Sequence, residues 1–385
     1  MTFRMTGEDV IAAASAQTGL ADIGDPAILE GLRRLLDAYA SEARFTERGA
    51  QMAHGDVMNS LAVRMQVEDW LGKHPELAGR PIEKPLFVFG LPRTGTTLMI
   101  NLLAADPATR SFLRWEIYEP MPPAKPEELH AGPRYEAQQA KNEMALQYMP
   151  HIAAIHYEEA DSPTECQFLM TPSFCAEVYE AQADIPSWRS WFLNEADYMP
   201  AFRFHKRMLQ ALQTHAGGRW TLKNPWHPLF LNELTTVYPD ASLVMTHRDP
   251  AEVVGSCCSL IKYVRAIYSD DVDLKGIGES FMNTFGVMIA RAQAFKAERG
   301  AQSIYDVQYA DTVREPMGEV RKIYRHFDMD FTPAIESAMQ GYLDANPKGK
   351  HGSHSYDLAE YGLSVEGVRE RFRDYIESYD IPVKG

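Results

Sequence analysis

The chain has 385 residues, 45% of them apolar, four cysteines and a formal net charge of −15. That charge argues against broad binding of nucleic acid or an anionic membrane surface, since both select positive faces, so any anion must be gripped locally by small basic clusters. Four thiols, two of them adjacent at Cys257 and Cys258, suit neither a disulfide framework nor a metal site, and no apolar stretch reaches the ~18 residues of a membrane span, so a cytoplasmic enzyme is expected.

Residues 1–80 read as a helical cap: in "AILEGLRRLLDAYASEARF", Ile28, Leu32, Leu35, Leu36 and Tyr39 repeat at helical spacing. "RPIEKPLFVFG" then predicts a short strand centred on Leu86 to Phe89 and a turn at Gly90, opening a second unit over residues 81–385. Helices are predicted over 97–105 and 135–148. Further strands are predicted in "RWTLKNP", in "ASLVMTHRDP", which leads into a helix from about Pro250, and in "SIYDVQYADTVREP". Strands alternating with helices mean a parallel sheet covered on both faces, with ligands at the carboxyl ends of the strands. The fold class expected is α/β: a P-loop-type parallel sheet flanked by helices, with an N-terminal helical cap.

"PLFVFGLPRTGTTLMINLL" is built like a phosphate-binding loop. Gly90, Gly95 and Thr97 reproduce the spacing G-x-x-x-x-G-K-[ST], but Thr96 stands where a nucleotide hydrolase carries its lysine. Amides of Thr94, Gly95, Thr96 and Thr97, with the positive end of the following helix, form a nest for an anion's oxygens, and Arg93 adds a charge-assisted fork. A strand-end aspartate for magnesium is missing from "LVMTHRDP", where His247 and Arg248 come first; cationic ligation replaces metal ligation.

In "HRDPAEVVGS", Arg248 and Ser256 bracket a helix N-terminus and suit a second phosphate, unless Arg248 pairs with Asp249 or Glu252 and Ser256 faces water. "NPKGKHGSHSY" sets Lys348, Gly349, Lys350 and His351 together, either as a third anion contact or as solvated surface.

In this order the motifs resemble those of the sulfotransferases that use 3′-phosphoadenosine-5′-phosphosulfate, in particular the bacterial members grouped with mycobacterial sulfotransferase-like proteins. "LPRTGTT" is similar to the family's 5′-phosphosulfate loop, with Arg93 where many relatives place a lysine. "THRDPAEVVGS" is similar to its 3′-phosphate motif through Arg248 and Ser256. "VQYADTVREP" resembles its Tyr-Glu-Asp-Met-like segment, which implies that Tyr309 contacts the adenosine side. "PKGKHG" resembles the loop that closes over the 3′-phosphate, which implies that role for Lys348, Gly349 and Lys350. The resemblance covers residues 86–354. It implies that 3′-phosphoadenosine-5′-phosphosulfate is the co-substrate, that no metal is used, and that the sulfuryl group goes to a hydroxyl of a small-molecule acceptor.

"LKNPWH" offers Lys223 and His227 at a strand end. In the better-known cytosolic relatives a lysine and a histidine lie two residues apart at this point, whereas here the gap is four. Lys223 is expected as donor to the bridging oxygen, and His227 as general base or as lining of the acceptor site. The other candidate base is Glu165 in "HYEEADSPTECQFL", where bacterial relatives have a similar Glu-Cys segment; three residues after Ser162, it equally suits a capping box. Glu159 is a second carboxylate there, and His156 reads as structural.

Trp115, Tyr118, Trp188, Trp191, Phe192 and Tyr263 are expected to build an apolar pocket for a hydrophobic or aromatic acceptor. Two rival readings are an ATP-dependent P-loop phosphotransferase and a catalytically silent nucleotide-binding protein. The sequence leaves the oligomeric state open between monomer and homodimer.

Overall fold

A computed structural model describes residues 4–148, 158–347 and 355–383. Lys348, Gly349 and Lys350, with His156 and His351, lie outside those residues. The chain begins with three helices, α1 (Gly7–Thr18), α2 (Ile28–Ser41) and α3 (Glu47–Lys73). Thr6 opens α1 by accepting the amide of Asp9, whose carboxylate returns to the Thr6 amide, and the side chain of Thr46 accepts the Gly49 amide at the start of α3. The face expected of α2 is the buried one: Ile28, Leu32, Leu35, Leu36 and Tyr39 are all buried.

The sheet has five parallel strands in the order β2-β3-β1-β4-β5: β1 (Leu86–Gly90), β2 (Thr109–Arg110), β3 (Arg219–Lys223), β4 (Ser242–His247) and β5 (Tyr305–Gln308). Four of these are the strands expected from sequence. The edge strand β2 is only two residues long and carries no readable period.

Alternation along β1 divides the core. Leu86 and Val88 join one apolar cluster with α4 (Thr96–Ala104), while Phe87 and Phe89 join a larger one that runs through α2 and α3. Burial on both faces is what a parallel strand in such a sheet requires, and it leaves the carboxyl ends of β1, β3 and β4 together at one edge.

Five further helices bear on the site. They are the short α5 (Val178–Gln182), α6 (Pro250–Tyr268) after β4, α7 (Pro316–His326), and the C-terminal α8 (Val365–Arg371) and α9 (Arg373–Ser378). Pro250 occupies the first position of α6, as its fixed φ and missing amide hydrogen suit.

Candidate active site

The loop after β1 is shaped by two glycines. Gly90 has φ 153, and a Cβ there would lie 2.4 Å from the Thr246 carbonyl oxygen of β4. Gly95 has φ 91, and a Cβ would lie 2.8 Å from Tyr309 Cδ2. Between them Arg93 itself sits in the left-handed region at φ 69, a strained backbone for a bulky residue and of the kind concentrated at functional sites.

Thr94 turns its hydroxyl inward, donating 2.6 Å to the Leu91 carbonyl oxygen and lying 2.6 Å from Thr246 Oγ1, so its contribution to an anion nest is its amide alone. No side chain caps the N-terminus of α4, and Gly95, Thr96 and Thr97 line the cavity into which that end opens. Uncapped first-turn amides can donate to the oxygens of an anion.

The second predicted anion motif folds onto the first. Arg93 Nε donates to Ser256 Oγ at 3.1 Å, and Arg248 Nη1 donates to the Arg93 carbonyl oxygen at 2.9 Å. Ser256 therefore faces Arg93 and not water. Arg248 does pair with Glu252, Nε to Oε2 at 2.8 Å, and its guanidinium also lies 4.3 Å from the centre of the Tyr309 ring. Desolvation pushes the Arg93 guanidinium below its ordinary pKa, and the neighbouring Arg248 adds to this. Two arginines this close are electrostatically costly until an anion joins them.

Glu165 reaches the same place from the other side. Its segment runs beside the end of β3, with the Cys166 amide donating to the Lys223 carbonyl oxygen at 2.8 Å. Glu165 Oε1 lies 3.2 Å from Lys223 Nζ, and the Gln167 side-chain amide donates to Oε2. Lys223 is fully buried, with Glu158 Oε1 at 3.9 Å as a second carboxylate partner. Ser162 Oγ accepts from the Glu159 amide at 2.8 Å, so this hydroxyl caps Glu159 rather than Glu165.

His227 goes elsewhere. The four-residue gap carries it to the opposite face of the sheet end, where it is fully buried, 5.2 Å from the Phe87 ring and 6.0 Å from Phe202. Neither ring nitrogen finds a hydrogen-bond partner among the described residues, and burial pushes its pKa well below 6.5. Pro225 and Trp226 line the cavity in its place.

The cavity has a volume of about 540 Å³. Arg93, Gly95, Thr96, Thr97, Arg248 and Tyr309 line one end, and Phe168, Val178, Ala181, Leu260, Ile261 and Val264 the other, with Glu165 also on its wall. None of the six aromatics expected to form the acceptor pocket lines it. Trp115, Trp188, Trp191 and Phe192 are each less than a tenth exposed and serve as core, because their spacing along short helices points them inward. The residues that do line it were signalled by α6: Cys257, Leu260, Ile261 and Val264 fall at i, i+3, i+4 and i+7, directly after the Arg248 and Ser256 motif.

All four cysteines are buried and unbridged. Among the described residues no helix is long and apolar enough to cross a membrane.

A family model described as the sulfotransferase family matches residues 85–333. The crystal structure of sulfotransferase STF9 from Mycobacterium avium is similar with a TM-score of 0.93 and 33% identity, covering 99% of this chain and 98% of that one. Sulfotransferase STF1 from Mycobacterium tuberculosis H37Rv follows at TM-score 0.87 and 33% identity, covering 97% and 100%. The omega-hydroxy-beta-dihydromenaquinone-9 sulfotransferase Stf3 of Mycobacterium bovis is 22% identical over 313 residues, 77% of this chain and 75% of its own.

Proposed function

The chain belongs to the sulfotransferase family, and on that premise we propose that it moves a sulfuryl group from 3′-phosphoadenosine-5′-phosphosulfate to a hydroxyl of a small hydrophobic acceptor. The observation that carries this reading is one cavity with two anion grips at one end and an apolar wall at the other. A donor with a 5′-phosphosulfate and a separate 3′-phosphate needs two grips within one molecule's reach. Its lack of a γ-phosphate is consistent with Thr96 in place of the nucleotidase lysine. The omega-hydroxyl acceptor named for Stf3 is likewise a hydroxyl on an apolar body.

In this reading Arg93 and the amides of Thr94 to Thr97 hold the 5′-phosphosulfate, while Arg248 and Ser256 hold the 3′-phosphate with Tyr309 beside the adenosine. Lys348, Gly349 and Lys350 carry over by resemblance as the loop above the 3′-phosphate. The bound donor supplies the sulfuryl group. Glu165 takes the proton of the acceptor hydroxyl as its oxygen bonds to sulfur and the bond from sulfur to the 5′-phosphate oxygen breaks. Arg93 and the backbone amides meet the charge left on that phosphate. Lys223, enclosed between Glu165 and Glu158, positions the Glu165 carboxylate; acting at the bridging oxygen would require its Nζ to leave both partners.

The test is calorimetric titration with 3′-phosphoadenosine-5′-phosphate and with 5′-AMP, without magnesium. Loss of one charge-assisted phosphate contact predicts weaker 5′-AMP binding by ~1.5–3 kcal/mol. Equal affinity for the two would sink the two-phosphate reading.

A further inference from the structure

We propose that the apolar end of the cavity is a length-selective slot for the chain of an aliphatic primary alcohol, closed at its far end by the contact between α6 and α5. This deepens the sulfuryl-transfer reading and rests on it.

The reacting end is marked by Glu165, Arg93 and Cys257, which lie within electrostatic reach of one another: both Arg93 and Glu165 act on the Cys257 thiol. From Cys257 the cavity-facing stripe of α6 runs through Leu260 and Ile261 to Val264. Seven residues at a rise of ~1.5 Å give a wall about 10 Å long, the length of roughly eight carbons of extended chain. The opposite wall is Val178 and Ala181 of α5 with Phe168. Five of these six side chains beyond Cys257 are aliphatic, and none can hydrogen-bond. Among the described lining residues, the polar side chains on that side are Glu165 and its partner Gln167, at the reacting end. A ligand with a second polar group along its length would have that group desolvated without a partner.

The far end is defined by an ion pair. Arg265, one residue past Val264 and only 3% exposed on its side chain, donates from Nη2 to Glu180 Oε1 at 2.8 Å and to the Glu180 carbonyl oxygen at 3.1 Å. Glu180 lies between Val178 and Ala181 on α5, so this contact pins the two walls together beside Ala181 and one residue past Val264. A buried pair held on both a carboxylate and a carbonyl fixes the distance between the helices. The slot thus has a reactive end, an apolar length and a stop.

With 3′-phosphoadenosine-5′-phosphosulfate as donor, kcat/KM should be measured for straight primary alcohols from butanol to dodecanol. Each buried methylene is expected to raise it ~4-fold, up to about octanol, after which the profile levels. Val264→Phe should move the break to shorter chains, and Val264→Ala, which keeps the helix and removes bulk, should move it to longer ones. A flat profile, a break that neither variant moves, or a simple phenol that outperforms octanol overturns the slot while leaving the transferase reading intact. Failure to bind 3′-phosphoadenosine-5′-phosphate, or to sulfate any alcohol or phenol from this donor, overturns the reading on which it rests.

Discussion

Arg93 and Ser256 meet through a 3.1 Å hydrogen bond from Nε to Oγ, which joins the loop after β1 to the first turns of α6. One guanidinium thereby stands between the two proposed anion grips, and its removal should be felt by both phosphates of a bisphosphate ligand. Arg93→Ala is expected to weaken binding of 3′-phosphoadenosine-5′-phosphate by ~1.5–3 kcal/mol. Arg93→Lys should recover only part of this, because a point charge replaces a fork. Calorimetry checks it, and a loss below about threefold in the alanine variant would count against a direct phosphate contact.

Glu165 is held on both oxygens, by Lys223 and by Gln167, and it lines the cavity. As the proposed base it would contribute through the proton it accepts, so Glu165→Gln should lower kcat by ~10²- to 10⁴-fold while leaving bisphosphate affinity nearly unchanged. Lys223→Met acts differently. It leaves the Glu165 carboxylate without its buried cation, while Glu158 keeps Arg114 Nη1 at 3.7 Å, and should cost ~3 kcal/mol or more of stability, read from urea midpoints. If Lys223→Met keeps its stability and loses only turnover, Lys223 touches the reacting atoms directly.

The parts of this architecture that were legible in sequence are those written in local patterns. The β1 strand, the Gly90 to Thr97 loop, Pro250 opening α6 and the buried stripe of α2 each follow from period, turn chemistry or capping within about a dozen residues. The meeting of Arg93 with Ser256 was not local and was not expected: the sequence set Ser256 at a second phosphate site, and it is the pairing of β1 with β4 that brings the loop after β1 against the first turns of α6. What stayed hidden depended on which way a side chain turns out of an irregular segment. Glu165 looked equally like a cap because Ser162 stands three residues before it, and the fold decides against the cap by turning Ser162 Oγ to the Glu159 amide and setting Glu165 beside the end of β3. Trp188 and Phe192 looked like a pocket because sequence shows their size and not their direction; they stack on each other in the core with ring centres 4.6 Å apart.

His227 gives a test through pH. Burial holds its imidazole neutral well below pH 6.5, and burial lowers the nearby His205 to about 3. In the unfolded chain both titrate near 6.5, so below that pH the unfolded state binds protons that the folded state refuses. Their contribution to stability is present above about pH 6.5 and is lost as the pH falls below it, for His205 down to about 3. Urea midpoints should fall between pH 7 and pH 5, and His227→Leu should make that fall smaller. Since neither nitrogen is bonded among the described residues, the leucine variant should also keep kcat within several-fold. A loss of a hundredfold or more would return His227 to the role of base.

The position of Arg248 depends on residues outside the matched family segment, which ends at 333. On one side of it, His247 Nδ1 lies 2.9 Å from the Tyr375 hydroxyl and Nε2 lies 3.0 Å from Asp306 Oδ1. On the other, Asp249 both caps α6, accepting from the Ala251 amide at 3.0 Å, and takes a 2.6 Å hydrogen bond from Arg369 Nη2. The C-terminal helices α8 and α9 thus clamp the two residues that flank Arg248. Asp249 keeps its cap without Arg369, so Arg369→Ala should leave α6 intact and loosen only the aim of the strand end. Expected is a 3- to 10-fold rise in the donor KM and in the dissociation constant of 3′-phosphoadenosine-5′-phosphate, at nearly constant kcat, with Arg369→Lys restoring most of it. An equal fall in kcat, or a large drop in thermal midpoint without this split, would mean that Arg369 serves the fold as a whole and not the position of Arg248.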